Sequence, residues 1–145
     1  MSVFGAMDVS ATGMTAQQVR SDIISQNIAN VNTTRDANGN AYKRKTVVFE
    51  EKSYPTFDET LSHATGHIGK GVKVTEIVED PSEGRLVYDP SHPDANKDGY
   101  VTYPNVNTVT EMTNLIDATR AYEANVTVLN STKSMALKAL DIGNG

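Results

Sequence analysis

The chain has 145 residues, of which 38% are hydrophobic, and this size suits one folding unit rather than two independent cores. Its formal net charge is −5 and its basic residues are interspersed with acidic ones, which argues against nucleic acid as a partner. The lack of cysteine excludes a disulfide framework and a thiolate metal site.

An amphipathic helix is predicted for the N-terminal segment, residues 1–34. A stripe at three- and four-residue steps runs through Val3, Met7, Ser10, Met14, Gln17, Ser21, Ile24, Ile28 and Val31. Gly5 and Gly13 each cost about 1 kcal/mol relative to alanine in a helix, and residues 15–18 offer a second N-cap. The second half of the segment is therefore the firmer helix prediction.

The N-terminal segment does not resemble a cleaved secretory signal. It lacks a basic start, an unbroken apolar stretch and a small-residue cleavage site. No apolar run of about 18 residues occurs, so no membrane span is expected. We therefore expect a protein that is either cytoplasmic or exported without signal cleavage.

A small β-rich module is predicted for residues 35–104, which hold most of the glycines and all of the prolines. Runs rich in β-favouring residues predict strands at 46–49, 72–78 and 100–103. The turn-forming residues 36–40 predict the start of a hairpin or an extended arm.

A short basic run, Lys43, Arg44 and Lys45, precedes the first predicted strand. It has two interpretations. Charged side chains on a solvated strand edge discourage aggregation, and this interpretation is favoured. The alternative is contact with an acidic partner surface.

A long helix is predicted for the C-terminal segment, residues 105–145. Thr108 and Glu111 match a capping box. One seam at three- and four-residue spacing contains Met112, Leu115, Tyr122, Val126, Leu129, Ala136 and Leu140. A second seam, mostly of smaller residues, contains Ala118, Ala121, Val128, Met135, Ala139 and Ile142. One partner helix would leave part of this surface exposed, so packing between molecules is expected. Simple pairing of the two terminal helices within the chain is the alternative.

The expected fold class is therefore α+β. Long N- and C-terminal α-helices pair as an antiparallel coiled coil, and the central β-rich module lies between them in the sequence.

Residues 94–99 match the first half of an EF-hand calcium loop, with Asp94, Asn96 and Asp98 at ligand positions and Gly99 at the turn. The second half fails, because Asn105 stands where the loop needs a bidentate glutamate. An Asx-rich turn is the favoured interpretation. A calcium-binding adhesion or signalling module is kept as an alternative function.

Other motifs give no catalytic, cofactor or metal residues. His63 and His67 lack the glutamate of a zinc-binding helix, and residues 66–71 are too short for a phosphate loop. Ser91 and His92 lie in a proline-containing loop without a nucleophile elbow. We therefore expect no enzyme activity, no cofactor and no small-molecule substrate.

Residues 21–34, SDIISQNIANVNTT, resemble the N-terminal signature of flagellar axial proteins, the rod, hook and filament-junction subunits. Residues 111–125, EMTNLIDATRAYEAN, resemble the C-terminal signature of the same family. The short centre and residues 88–106 are most similar to a proximal rod subunit, and the resemblance is weakest over residues 50–70.

The resemblance implies a structural subunit of the torque-transmitting rod in the flagellar basal body. Residues 1–34 and 105–145 would be its axial helices, and residues 35–104 its outward module with an extended arm. The expected partners are other rod proteins, copies of itself, base ring and rod-cap proteins, and the type III export apparatus. Such a chain is exported without signal cleavage and assembles in the periplasm. A coiled-coil scaffold unrelated to flagella is the second alternative.

Subunit-interface residues are expected on both helices: Ile24, Asn27, Ile28, Asn30, Met112, Leu115, Tyr122, Asn125, Val126 and Leu129. Asparagines buried between subunits need hydrogen-bond partners, which fixes register. Long helices with polar interruptions are marginal in water. The free monomer is therefore expected to be partly disordered at both ends and to become ordered on assembly.

Overall fold

The computed structural model describes residues 3–36, 39–52 and 71–143. The elements in chain order are α1 (Val3–Ala29), β1 (Lys45–Glu51), β2 (Val72–Glu79), β3 (Arg85–Tyr88), β4 (Tyr100–Tyr103) and α2 (Thr108–Gly143). Two long terminal helices and a small strand region between them confirm the α+β class. None of the helices in the described ranges is both long enough and apolar enough to cross a membrane.

Helix α1 is continuous through both of its glycines, so the predicted second start near residue 15 is wrong. The hydroxyl group of Thr15 donates to the carbonyl of Ala11 at 3.1 Å, as a hydroxyl does inside a helix. Ser10 bonds the carbonyl of Ala6 in the same way, also at 3.1 Å. These bonds satisfy the two hydroxyl groups within the helix, including that of Ser10, which interrupts the apolar stripe.

Helix α2 is capped by Asn107, and the predicted capping box is wrong. Asn107 Oδ1 accepts hydrogen bonds from the backbone N–H groups of Val109 at 3.0 Å and Thr110 at 3.3 Å. Asparagine is as good an N-cap as serine and better than threonine, so the cap lies one residue before Thr108. The carboxylate of Glu111 is left for other partners.

The first sheet pairs β1 with β2, and both strands contain the runs predicted at 46–49 and 72–78. Its ladder is antiparallel. Asp80 N donates to the carbonyl of Arg44 at 2.8 Å, and Lys52 N donates to the carbonyl of Gly71 at 2.8 Å. Before β1, Asp36 and Asn40 close a turn through a 2.7 Å backbone bond, as the sequence predicts.

The second sheet pairs β3 with β4 antiparallel, from Arg85 opposite Tyr103 to Tyr88 opposite Tyr100. Strand β4 is the predicted strand at 100–103, whereas β3 is a strand that the sequence analysis missed. Val101 points inward and is 1% exposed. On the other face the rings of Tyr88 and Tyr100 meet edge to face, with centroids 5.2 Å apart.

The loop before β4 forms the predicted Asx-rich turn. Asn96 Oδ1 accepts from the backbone N–H groups of Asp98 and Tyr100, both at 2.9 Å. Gly99 has φ of 79° and lies against the ring of Tyr88, so a side chain at this position is excluded by both backbone and space.

The chain divides into two compact units. The first unit comprises Met1–Val19, Phe49–Thr75 and Thr119–Gly145, and the second comprises Arg20–Val48 and Glu76–Ala118. Each unit therefore contains a part of α1 and a part of α2. The antiparallel coiled-coil geometry of these helices stays a prediction.

In the first unit, α1 contacts both α2 and the start of β2. A Cβ atom on Gly13 would lie 2.9 Å from Asn125 Oδ1, so the Asn125 side chain occupies the space over the glycine. Thr12 Oγ1 accepts from the backbone N–H of Val72 at 3.2 Å. Gly71, with φ of 102°, leaves room for this threonine.

Buried side chains are few among the described residues, and many of them are polar. The buried apolar ones are Ala16, Ile23, Ile24, Val101, Pro104 and Ala118. The buried polar ones are Ser10, Asn27, Glu111 and Thr132. Of the buried polar residues, Asn27 and Glu111 form hydrogen bonds between elements, so hydrogen bonding contributes to this interior alongside apolar contact.

Candidate functional site

A polar cluster lies inside the second unit, where the last turn of α1, the start of β1 and the first turn of α2 meet. We define this polar cluster as Asn27, Tyr42, Arg44 and Glu111. Asn27 and Glu111 are both 0% exposed, which is exceptional for these residue types unless they are paired.

The side chain of Asn27 uses all four hydrogen-bonding positions of its amide. Nδ2 donates to the carbonyl of Lys45 at 2.8 Å and to Glu111 Oε2 at 2.9 Å. Oδ1 accepts from the hydroxyl group of Tyr42 and from the backbone N–H of Lys45, each at 2.9 Å. Asn27 therefore pairs with the Lys45 backbone as a neighbouring strand would, and each bond lost without replacement costs about 1–3 kcal/mol.

The carboxylate of Glu111 accepts hydrogen bonds mainly from Asn27 and Arg44, and Asn114 Nδ2 lies 3.4 Å from its Oε1. Oε1 lies 2.8 Å from both Nε and Nη2 of Arg44, whose side chain is 24% exposed against 1% for Glu111. A buried ion pair adds little net stability, but removal of one partner leaves an uncompensated charge and costs about 3–5 kcal/mol. The ion pair therefore favours the observed position of Arg44 against α2 over other positions, rather than adding much to the stability.

The backbone of Arg44 is held on both sides. Its N–H donates to Asn105 Oδ1 at 2.8 Å, and its carbonyl accepts from the N–H of Asp80. Asn105 Nδ2 lies 3.2 Å from the carbonyl of Ser82. The start of β1 is thus fixed against both the helix ends and the segment after β2.

The favoured interpretation of the basic run is therefore wrong for Arg44, which turns inward to a buried carboxylate. Lys43 is exposed, and Lys45 Nζ lies 4.0 Å from the carboxylate of Glu79 with a side chain 36% exposed. A buried carboxylate needs a charged donor, which a solvated edge does not provide.

The surroundings of the cluster shift two pKa values in opposite directions. Burial raises the pKa of the Tyr42 phenol, and the negative charges of Glu79 and Glu111 raise it further. The hydroxyl and N–H of Ser82 bond to Asp80 and lower the pKa of its carboxyl group, which the charge of Arg44 lowers further.

The predicted interface residues lie mostly on the inward side of the helices. Ile24 and Asn27 are buried within the second unit, and Met112 is 55% exposed. The others are partly exposed: Ile28, Asn30, Leu115, Tyr122, Asn125, Val126 and Leu129. Their contact with other subunits stays a prediction.

The C-terminal part of α2 carries an exposed apolar stripe, which we define as Val128, Met135 and Ile142. These side chains are 51%, 61% and 82% exposed, respectively. Because they are seven residues apart, they lie on one side of the helix. They belong to the predicted second seam. Ala118 of that seam differs, because it is buried in the second unit.

The residues considered for catalysis or calcium binding contact one another and the backbone. Asp94 accepts from the hydroxyl group of Thr34 at 2.8 Å, and its N–H donates to His92 Nδ1 at 3.1 Å. Ser91 Oγ donates to Asp89 at 2.6 Å. Over the described part of the chain, no three His, Cys, Asp or Glu residues are placed to hold a metal ion.

The possible zinc ligands His63 and His67, and the glycine-rich residues 66–70, lie outside the described residues.

Comparison with known proteins places both ends of the chain among flagellar rod proteins. The family described as "Flagella basal body rod protein" matches residues 7–35, and "Flagellar basal body rod FlgEFG protein C-terminal" matches residues 97–142. The matches cover much of α1 and of α2. They confirm the class of protein that the two terminal signatures indicate.

Individual relatives identify the family within this class of rod proteins. The chain is similar to the flagellar basal-body rod protein FlgC of Bacillus subtilis, with 47% identity over 99% of both chains. It is 45% identical to FlgC of Borreliella burgdorferi over 100% of both, and 39% identical to FlgC of Escherichia coli O157:H7 over 99% of both. The chain therefore belongs to the FlgC family of flagellar basal-body rod proteins. These comparisons give no support to a calcium-binding module or a non-flagellar scaffold.

Asn27 was predicted from the sequence, whereas its partners Tyr42 and Glu111, and Arg44 as the partner of Glu111, were not. One signal was available for Glu111. It lies four residues before Leu115 and seven before Ala118, so it continues the inward side of α2. Because Glu111 was assigned to a capping box, its place on the inward side of α2 was not recognised.

Proposed function

We propose that this chain is a proximal rod subunit that polymerises with other rod proteins and with copies of itself into the torque-transmitting shaft of the flagellar basal body. The observation that carries the proposal is the likeness to FlgC proteins over 99% of the chain and of the relative. The proposed role is structural rather than catalytic, in keeping with relatives that are named as rod proteins.

The exposed apolar stripe of α2 is proposed to pack against a helix of a neighbouring subunit. Burying a side chain such as Met135 or Ile142 favours association by about 1.5–3 kcal/mol each. The partly exposed members of the predicted interface, such as Tyr122 and Val126, would be covered further in the assembly. Many such contacts repeated along a helical tube give a stiff shaft, because each displacement costs energy on every subunit.

The proposed roles in the rod are assigned to the three segments predicted from the sequence. Residues 1–34 and 105–145 are the axial helices that form the inner tube, and residues 35–104 form the outward module. Neighbouring base ring and rod-cap proteins are further partners in this proposal.

Export through the flagellar type III apparatus, without signal cleavage, and assembly in the periplasm complete the proposal. The small number of buried apolar side chains on the described parts of α1 and α2 supports it, since long helices with little apolar burial are marginal when isolated. A weakly folded chain is easily threaded through a narrow channel and gains order from its neighbours.

The proposal is tested by placing a charge on the stripe. We expect Met135→Glu to prevent rod assembly in cells that lack the native chain, because the carboxylate would be buried between subunits without a partner. The readouts are swimming motility and the amount of the chain in purified basal bodies.

Asn130→Glu is the matched control, because Asn130 is an exposed residue of the same helix outside the stripe. It should assemble normally. Normal motility and normal incorporation of Met135→Glu would contradict the packing role of the stripe, whereas failure of the unsubstituted chain to enter rods would contradict the proposed function itself.

A further inference from the structure

Few buried apolar side chains are available to select one pairing of α1 with α2 in the described residues of the second unit. The buried apolar side chains that the helices provide there are Ile23, Ile24 and Ala118. Residues seven apart lie on the same side of a helix, so sliding α2 by seven residues would bring Ala118 opposite Asn27 in place of Glu111. Ala118 is smaller than Glu111, so its own side chain would fit that space.

The polar cluster distinguishes the two pairings sharply. In the observed pairing, Asn27 Nδ2 donates to Glu111 Oε2 at 2.9 Å, and Arg44 holds Oε1 of the same carboxylate at 2.8 Å. After a slide of seven residues, Ala118 offers no acceptor to Asn27. Arg44, whose backbone is fixed by Asn105, would lose the carboxylate of Glu111 and keep only the longer contact with Asp80 at 3.7 Å.

The members of the cluster come from three parts of the chain, namely α1, the segment before β1 and α2, and the contacts to Glu111 join residues far apart in sequence. Asn27 and Glu111 are separated by 84 positions, and Arg44 and Glu111 by 67. One carboxylate therefore ties the end of α1, the residue before β1 and the first turn of α2 together.

We infer that Asn27 and Glu111, held by Arg44, form a register lock that selects one pairing of α1 with α2 and fixes the start of β1 against it. A buried asparagine in a helix pair is known to specify register at some expense of stability. Buried polar or ionic groups have the same effect on specificity in some proteins. The lock acts within one chain, so it goes beyond the proposed role in the rod and does not depend on that role.

The test measures the distance between two spin labels on the full chain by pulsed electron paramagnetic resonance. Spin labels are attached to cysteines introduced at Gln26 and Thr113, which are exposed residues of α1 and α2 in the second unit. The chain has no cysteine of its own, so labelling is confined to these positions. One narrow distance distribution is expected for the unsubstituted chain.

Asn27→Leu and Glu111→Leu are each expected to add a second population. A seven-residue slide moves one helix by about 10 Å along the other, which is a resolvable change in label distance. Ile23→Ala is the matched control. It removes a buried side chain of the same unit, and it should lower the melting temperature while leaving a single distance.

A purely stabilising role of the cluster predicts the opposite result. If both leucine variants keep the single distance and only melt at a lower temperature, as the control does, the lock is refuted. Loss of every defined distance would also refute it, because a lock decides between pairings and is not required for pairing itself.

Discussion

Tyr42 places its hydroxyl group 2.9 Å from Asn27 Oδ1, in surroundings that hold the phenol in its neutral form. Burial raises the pKa of Tyr42 above its ordinary value of 10.0, and Glu79 and Glu111 add to this rise. The unfolded chain therefore ionises at lower pH than the folded chain. The stability that Tyr42 contributes is full below about pH 10 and is lost as pH rises through the folded pKa.

We expect Tyr42→Phe to be less stable than the unsubstituted chain at neutral pH by about 0.5–1.5 kcal/mol, through loss of one hydrogen bond. We also expect it to lose less stability between about pH 8 and pH 11. Urea unfolding at both pH values gives the comparison, and tyrosinate absorbance follows the ionisation. Parallel pH dependence in the two proteins would contradict the shifted pKa of Tyr42.

The ion pair of Arg44 and Glu111 should respond unequally to removal of its two charges. Arg44→Met leaves a carboxylate that is 1% exposed without its cation, and we expect a loss of about 3–5 kcal/mol in the free energy of unfolding. Glu111→Gln leaves a guanidinium that is 24% exposed and still near Asp80, so the expected loss is smaller, about 1–3 kcal/mol. Urea unfolding measures the free energy of both variants. A larger loss for Glu111→Gln than for Arg44→Met would show that burial does not decide which charge is more costly to leave unpaired.

At the scale of the elements, the two glycines of α1 should behave differently. Nothing lies within 4 Å of a Cβ on Gly5, whereas Gly13 lies under the Asn125 side chain, whose Nδ2 donates to the carbonyl of Ala121 at 2.8 Å. Gly5→Ala should stabilise a formed helix by about 1 kcal/mol. Gly13→Ala should gain much less, because Asn125 must move.

The contact of Gly13 with Asn125 is isolated by a double-mutant cycle. In the Asn125→Ala background, Gly13→Ala should recover most of the gain seen at Gly5. Helical circular dichroism of the free chain shows how much terminal helix each of the four variants forms. An equal gain at Gly13 in both backgrounds would mean that the two residues do not interact.

The start of α2 gives a direct test of its cap. We expect Asn107→Ala to cost about 1 kcal/mol, because two N–H groups lose their acceptor. Thr108→Ala, the matched control, should change stability by less than about 0.5 kcal/mol. A larger loss for Thr108→Ala than for Asn107→Ala in urea unfolding would restore the capping box that the sequence suggested.

Helices and strands were predicted well where their signal lies in neighbouring residues of the sequence. Both helices follow from three- and four-residue spacing, and β1, β2 and β4 follow from β-favouring runs. Strand β3 was missed because it has only four residues and depends on pairing with β4. The cap shifted by one residue because Asn107 and Thr108 are both acceptable N-caps.

The polar cluster could not be derived in the same way. The stripe on α1 placed Asn27 between apolar neighbours, but the spacing of one helix carries no information about a partner 84 positions away. Arg44 lies in a run of three basic residues that has the same composition as a solvated edge. Only the folded chain distinguishes the residue that turns inward.

At the scale of the whole molecule, few apolar side chains are buried among the described residues, and α2 carries an exposed apolar stripe. The stripe lies in the first unit, and the polar cluster lies in the second unit. We therefore expect the second unit to hold its structure in the free chain and the terminal helical segments to gain order from neighbours in the rod.

Hydrogen exchange on the full chain, at high dilution and again after incorporation into rods, tests this expectation most directly. In the dilute chain, we predict protected amides in Arg20–Val48 and Glu76–Ala118, and rapid exchange in the described helical residues of Met1–Val19 and Thr119–Gly145. In rods, those helical residues should become protected. Strong, cooperative protection of α1 and α2 along their full 27 and 36 residues in the dilute chain would contradict assembly-coupled folding.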